Sequence, residues 1–219
     1  MAGPFPRTVP SHFDKETGPY TAGLKAKNPD KDLLELSSQE LLDCCKEQEK
    51  QCYTYSIIKA LKWIKSYGIM KEEEYPFKAH KCPCRHKTEE QKTLAVKIVD
   101  IQKVDHDNEN ELLMRVKEQP IECGLIVTKA FRELKDGIYE GSDELDLILQ
   151  GKKKLYRHAI LIVGFGYDEK EDKKYWIIKN SYGKDWGVHG YARIARKSSL
   201  PKGRPNLIFR TCYPIVPKL

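Results

Sequence analysis

Apolar residues in the first half of the chain recur at helical spacing, whereas those in the second half alternate or run together as strands do. Ile57, Ala60, Leu61 and Ile64 fall on one face of a 3.6-residue period, and Gly68 follows where such a helix must stop. Ser37, with Glu40 three residues on, reads as a capping box opening a shorter helix through about Cys45. Residues 1–35 are rich in Pro, Lys and Asp with little periodicity, and read as an extended arm and loop. Farther on, Val96–Ile101, the run around His158, Tyr175–Lys179 and Tyr191–Ile194 read as β-strands. Asn110 is placed to cap an intervening helix carrying Leu112, Leu113 and Val116. No internal repeat is present, and a helical half followed by a strand-rich half predicts an α+β fold.

Composition narrows the classes. The chain has 219 residues, 40% hydrophobic and 32% charged, enough for one sizeable core or two small lobes. No stretch approaches the roughly 18 apolar residues of a membrane span, so no membrane partner is expected. The opening Met-Ala-Gly-Pro-Phe-Pro-Arg-Thr-Val-Pro lacks the apolar core of a secretory signal. The net charge of +7 is lopsided: residues 1–110 carry 18 Lys and Arg against 18 Asp and Glu, residues 111–219 carry 21 against 14. Lys152, Lys153, Lys154 and the tail from Arg193 to Arg210 are basic enough to draw acidic partners. No base-reading motif or stacking pattern accompanies them, so they read as solvated surface and no nucleic acid is expected.

The chemistry lies in ordered motifs. His158 opens His-Ala-Ile-Leu-Ile-Val-Gly-Phe-Gly-Tyr, Asn180 sits in Lys179-Asn180-Ser181-Tyr182-Gly183, and Asp185-Trp186-Gly187 and Gly190-Tyr191-Ala192-Arg193-Ile194 follow. Upstream stand Leu36-Ser37-Ser38-Gln39-Glu40-Leu41-Leu42-Asp43-Cys44, Tyr75-Pro76-Phe77, Gln119-Pro120 and Gly137-Ile138-Tyr139, and Tyr213-Pro214-Ile215-Val216 closes the series. In this order and spacing, over most of residues 36–216, the chain resembles the papain family of cysteine peptidases. The resemblance implies a papain-like two-lobe fold in a single peptidase domain. Residues 1–95 would form a truncated helical lobe with its arm, and residues 96–219 a β-barrel-like lobe. His158 would be the general base and acid, and Asn180 would hold its ring through the side-chain amide oxygen, both on neighbouring strands facing the cleft.

The family's nucleophile sits in C-G-[SA]-C-[WY], with its histidine roughly 130–150 residues downstream, which places it here at about residues 8–28. That window has no cysteine, the first in the chain being Cys44. Val9-Pro10-Ser11-His12-Phe13-Asp14 looks like the family's opening P-x-x-[FV]-D-W-R, and Ala22-Gly23-Leu24 like the end of the nucleophile helix. Against that pattern a block of about twenty residues is missing, including the oxyanion glutamine. The family's long inhibitory pro-segment is missing too, implying a processed form or a product outside the secretory route. The family's settings are vacuolar, lysosomal or extracellular. Acyl transfer needs a thiolate, an imidazole and oxyanion donors, and one of the three remains. The expectation is an inactive homologue whose partners are peptides or proteins in a residual cleft. Two alternatives stand beside it: an active endopeptidase using a substitute cysteine, and a truncated product that does not fold stably.

Seven cysteines are an odd number, so oxidation leaves at least one without an intramolecular partner. The resemblance pairs Cys44 with a cysteine after Tyr75-Pro76, and Cys84 has the better spacing than Cys82. Cys52 looks like the family's G-C-x-G-G cysteine, whose partner would lie in the missing block. His80, Cys82, Cys84 and His86 form H-x-C-x-C-x-H, but alternate residues splay around one ion, so no metal is expected. No cofactor is expected either: Glu169 occupies the third glycine's place after Gly164-Phe165-Gly166, which excludes a dinucleotide fingerprint. Two departures from the family matter, together with the charge beside His158. Thr54-Tyr55 replaces a glycine pair and would crowd a wall that meets substrate backbone. Tyr182 replaces tryptophan yet still offers an aromatic shield to an Asn–His hydrogen bond. Arg157 is expected to disfavour the imidazolium by like charge.

Overall fold

Alternating strand residues bury one side of a seven-stranded mixed sheet. The computed structural model describes residues 34–45, 56–85 and 88–217. Its strands are β1 (Asp100–Val104), β2 (Ile121–Ile126), β3 (Ile138–Tyr139), β4 (Arg157–Asp168), β5 (Lys173–Lys179), β6 (Tyr191–Ala195) and β7 (Ile208–Ile215). They lie in the order β1-β7-β2-β4-β5-β6-β3, antiparallel throughout except for the β3–β6 pair. Helices α1 (Ser38–Cys44), α2 (Ile57–Tyr67) and α3 (Glu89–Leu94) precede the sheet, while α4 (Glu109–Glu118), α5 (Lys129–Arg132) and α6 (Asp143–Leu149) connect its strands. The architecture is α+β, as the pattern predicts. The arm at residues 1–33, with the expected nucleophile window, and Cys52, Thr54, Tyr55 and His86 lie outside the described residues.

The predicted helix over Ile57–Ile64 is α2, with Ala60, Leu61 and Ile64 fully buried. Gly68 ends it at φ 70°, a left-handed conformation that glycine adopts without the penalty a Cβ brings. Leu61 and Ile64 join Leu41, Leu42 and Ile69 in a cluster that also takes in Ile98, Cys212 and Val216. The helical part is thereby packed on the end of β7. Each such aliphatic side chain contributes about 1.5–3 kcal/mol by leaving water.

Three boundary expectations are corrected. Ser37 does cap α1, its hydroxyl accepting from the Glu40 amide at 3.0 Å, but Glu40 does not return the bond and instead accepts from the Met70 amide at 2.7 Å. A buried amide across the fold outcompetes the local one. Both halves of a capping box do occur at Thr88 and Gln91, at the start of α3. The helix expected from Asn110 is α4, capped by Asn108, whose side chain accepts from the Glu111 amide at 3.2 Å. The strand expected at Val96–Ile101 begins only at Asp100, where the backbone aligns with β7, while Val96 makes a single bridge to Ile69.

The segment Leu36–Cys44 is a buried polar latch. Asp43 accepts from Gln39 Nε2 at 2.9 Å and the Cys82 amide at 2.6 Å on one oxygen, and from the Tyr75 hydroxyl at 2.9 Å on the other. Gln39 also donates to the His80 carbonyl at 2.8 Å and accepts from the Lys78 amide at 2.9 Å. Buried polar groups this well satisfied fix one path for the chain, since each lost partner would cost about 1–3 kcal/mol. The Cys44–Cys84 disulfide closes the same junction and is the pairing the resemblance implies. It spans 40 residues, so the double substitution Cys44→Ser and Cys84→Ser is expected to cost about 2–4 kcal/mol. Urea denaturation reads the loss; an unchanged midpoint would mean the polar latch alone holds residues 78–85.

Candidate active site

Register brings His158 and Asn180 together. His158 is the second residue of β4, opposite Leu125 of β2, and Asn180 directly follows β5. In the half of the ladder nearest them, Leu161 pairs with Lys179 and Ile162 with Ile178; beyond it, Gly164 pairs with Ile177. Val163 is the extra residue of a bulge. With the near register, Asn180 falls on the face of Ile160 and therefore of His158; with the far register it would fall on the other face. The Asn180 amide donates to the Gly190 carbonyl at 2.9 Å, which fixes where the side chain starts.

The resulting bond runs from His158 Nε2 to Asn180 Oδ1 at 2.8 Å, with both residues only 7% exposed. An amide oxygen is an acceptor only, so Nε2 carries the hydrogen and, in the neutral ring, Nδ1 is the basic nitrogen. Oδ1 takes a second hydrogen bond from the Ser181 amide at 2.8 Å, which holds the carboxamide plane. The carboxamide thereby fixes the orientation of the ring.

Aromatic side chains close over it. The Tyr182 ring centroid lies 4.7 Å from that of His158, tilted 33°. Trp186 stands edge-on to Tyr182 at 5.7 Å and 5.1 Å from Phe131, and its indole nitrogen donates to the Phe131 carbonyl at 3.1 Å. Phe131 comes from α5, whose cap Thr128 accepts from the Phe131 amide at 3.2 Å and meets the Tyr139 hydroxyl at 2.7 Å. The tryptophan loop is held by Gly187 at φ 60°, where a Cβ would stand 2.2 Å from the Tyr191 carbonyl oxygen. The aromatic shield expected from Tyr182 is therefore in place. Phe131 and Thr128 were not anticipated as part of it; Thr128 standing three residues before Phe131 is the cap signal that points to α5.

Arg157 turns away from His158. Neighbouring residues of a strand point to opposite faces, and its guanidinium lies 6.0 Å from the Phe209 ring centroid, across β4 from the imidazole. Cys84 of the H-x-C-x-C-x-H run is taken by the disulfide. Among the described residues no group of three or more His, Cys, Asp or Glu is arranged to hold a metal. Of the other described cysteines, Cys123 and Cys212 are fully buried in apolar clusters, where a sulfur cannot meet a peptide carbonyl, Cys45 is half-buried at the end of α1, and the Cys82 thiol faces the His80 carbonyl at 3.8 Å.

Burial pushes the Tyr182 hydroxyl up to about 12, with Arg132 pulling weakly the other way. The neutral phenol is favoured in the folded chain, so its stabilisation is complete below the ordinary tyrosine value near 10 and fades as pH rises towards 12. Thermal midpoints taken across that interval should fall more steeply for the parent than for Tyr182→Phe. Equal slopes would show that the ring is not buried against His158.

Comparison with known proteins gives the same picture. The family described as papain family cysteine protease matches residues 20–207. Vignain of Phaseolus vulgaris is 33% identical over 185 residues, covering 84% of this chain and 48% of the relative. Procathepsin L of Felis catus is 34% identical over 174 residues, covering 75% and 48%. The chain thus spans about half the length of the curated relatives it matches. Among solved structures, the bromelain protease of Ananas comosus, in complex with the E64 inhibitor, superposes with a TM-score of 0.73 at 28% identity, covering 94% of this chain and 88% of that one. The fold is papain-like.

Proposed function

This chain belongs to the papain family of cysteine proteases, and from that premise we propose that it binds peptides or proteins in a residual cleft without cleaving them. One observation carries the reading: the first cysteine of the sequence is Cys44, downstream of the family's nucleophile window, while the His158–Asn180 pair stands at 2.8 Å. A base aimed at a missing acid has no proton to take. A positioned imidazole contributes about 10²–10⁴-fold only when a nucleophile shares its proton, and without oxyanion donors a tetrahedral intermediate has no preformed stabilisation. His158 is then a positioned ring at the cleft wall, and Asn180 is its positioning residue.

In this reading residues 1–95 are the helical lobe with its arm, residues 96–219 are the β-rich lobe, and the cleft lies between them. The partner is a polypeptide rather than a nucleic acid, because the family's groove is shaped for extended backbone. A fluorogenic dipeptide amide assayed between about pH 5 and pH 7 should release no more fluorophore than it does with His158→Ala, across the range in which an imidazole ordinarily titrates. Turnover above that control would overturn the inactive reading and establish a substitute nucleophile. A single cooperative thermal transition is expected of the purified chain; its absence would favour a truncated product that does not fold.

A further inference from the structure

On the face of β4 opposite His158 a cavity of about 530 Å³ opens, within the roughly 300–1,000 Å³ typical of small-ligand pockets. Its floor is apolar, built from Ile126 at the end of β2, Ile148 and Leu149 at the end of α6, Leu155, and Phe209 of β7. Leu149 and Leu155 are 52% and 40% exposed, which is much apolar surface left to water in one place. Phe209 rests on Gly124: a Cβ there would stand 2.5 Å from its ring. The glycine lets the ring come down onto β2 and form part of the floor.

The rim is cationic. Asp107, the acidic residue of the lining, is taken by Lys197 at 2.8 Å and by Asn206 Nδ2 at 3.3 Å, and these hydrogen bonds hold its carboxyl below the usual range. Arg157 and Arg210 also line the cavity and have no carboxylate partner among the described residues. Arg210 has φ 52°, uncommon for a residue with a side chain, at a bulge in β7 between the pairs Glu122–Cys212 and Gly124–Phe209. A bulge takes a residue out of strand alternation and re-aims its side chain, here at the cavity. Two guanidinium groups over an apolar floor fit a planar anion carried on an apolar body, and they repel a cation.

We propose that this cavity is a binding site for a small apolar carboxylate, a function separate from anything performed at His158. The floor would take the hydrocarbon part, and Arg157 and Arg210 the carboxylate. The site stands whether or not the chain cleaves peptides.

The test uses the full chain, methyl-labelled on Ile and Leu, titrated by nuclear magnetic resonance with hydrocinnamate, phenylpropanol and phenylpropylamine, which share one apolar body under anionic, neutral and cationic heads. Saturable shifts at Ile126, Leu149 and Leu155 are expected, strongest binding with the acid and weakest with the amine. Arg157→Gln with Arg210→Gln should weaken the acid at least about tenfold and leave the alcohol within about twofold. Arg157→Gln alone, at an exposed position, gives the same direction should the double variant fail to fold. Alcohol binding as tight as the acid, unchanged acid binding in the variants, or no saturable shift would each overturn the proposal. Shifts produced by an acetylated Asp-Phe-Asp peptide but not by hydrocinnamate would overturn it in favour of a peptide groove.

Discussion

The extra residue at Val163 is the constraint on which the site depends. Without it, one register would run the whole length of β4 against β5, and a one-residue shift moves every partner to the other face. His158, Ile160 and Ile162 carry the core-facing side of β4 before the bulge, and Phe165 carries it after, edge-on to Trp176 at 6.3 Å. One twelve-residue strand thus keeps its core contacts at both ends while changing the parity of the residues that make them. Because Trp176, Ile178 and Asn180 share one face of β5 and its extension, the packing that buries the indole also delivers the carboxamide to the imidazole. Site and core are therefore set by the same register.

The pair's burial rests on the bond that joins its two side chains and on the rings around it. Taking an imidazole and a carboxamide out of water costs about 1–3 kcal/mol for each group left without a partner, more than a single buried methyl returns. The 2.8 Å bond between them and the Ser181 amide on the same oxygen meet that cost for His158 Nε2 and Asn180 Oδ1, and the rings of Tyr182, Trp186 and Phe131 supply the apolar contact around them. Such an arrangement is stable whether or not it performs chemistry. The bond and the ring packing are a structural reason to keep the pair that needs no thiol beside it.

What was legible in the sequence is what neighbouring residues decide among themselves. The α2 face, its Gly68 stop, the strand at His158 and the strand leading to Asn180 all follow from periodicity within a few residues. The partnership of Glu40 with Met70 was not legible, because the competing donor is 30 residues away. Nor was the bulge, since Ile160-Leu161-Ile162-Val163 is apolar throughout and alternation cannot show where the parity changes. Asn108 and Asn110 are chemically equivalent as caps, and only the path of the loop after β1 selects the first. The direction of Arg157 follows from strand geometry, since consecutive residues on a strand lie on opposite sides of it.

That opposition links the two regions of interest. Arg157 and His158 are consecutive, and strand geometry sends one to an open cavity and the other to an enclosed aromatic wall. The two faces differ in what they expose. On the His158 side, rings close around the pair; on the Arg157 side, leucine surface lies in water and two guanidinium groups lack carboxylates among the described residues. Gly124 and Arg210 give that second face its form, one by lacking a Cβ and the other by tolerating a left-handed backbone. Stability alone does not ask for a positive φ at an arginine, since a glycine there would relieve it. The bulge in β7 that carries Arg210 turns its guanidinium to the cavity, as strand alternation turns Arg157, so both charges meet on one face.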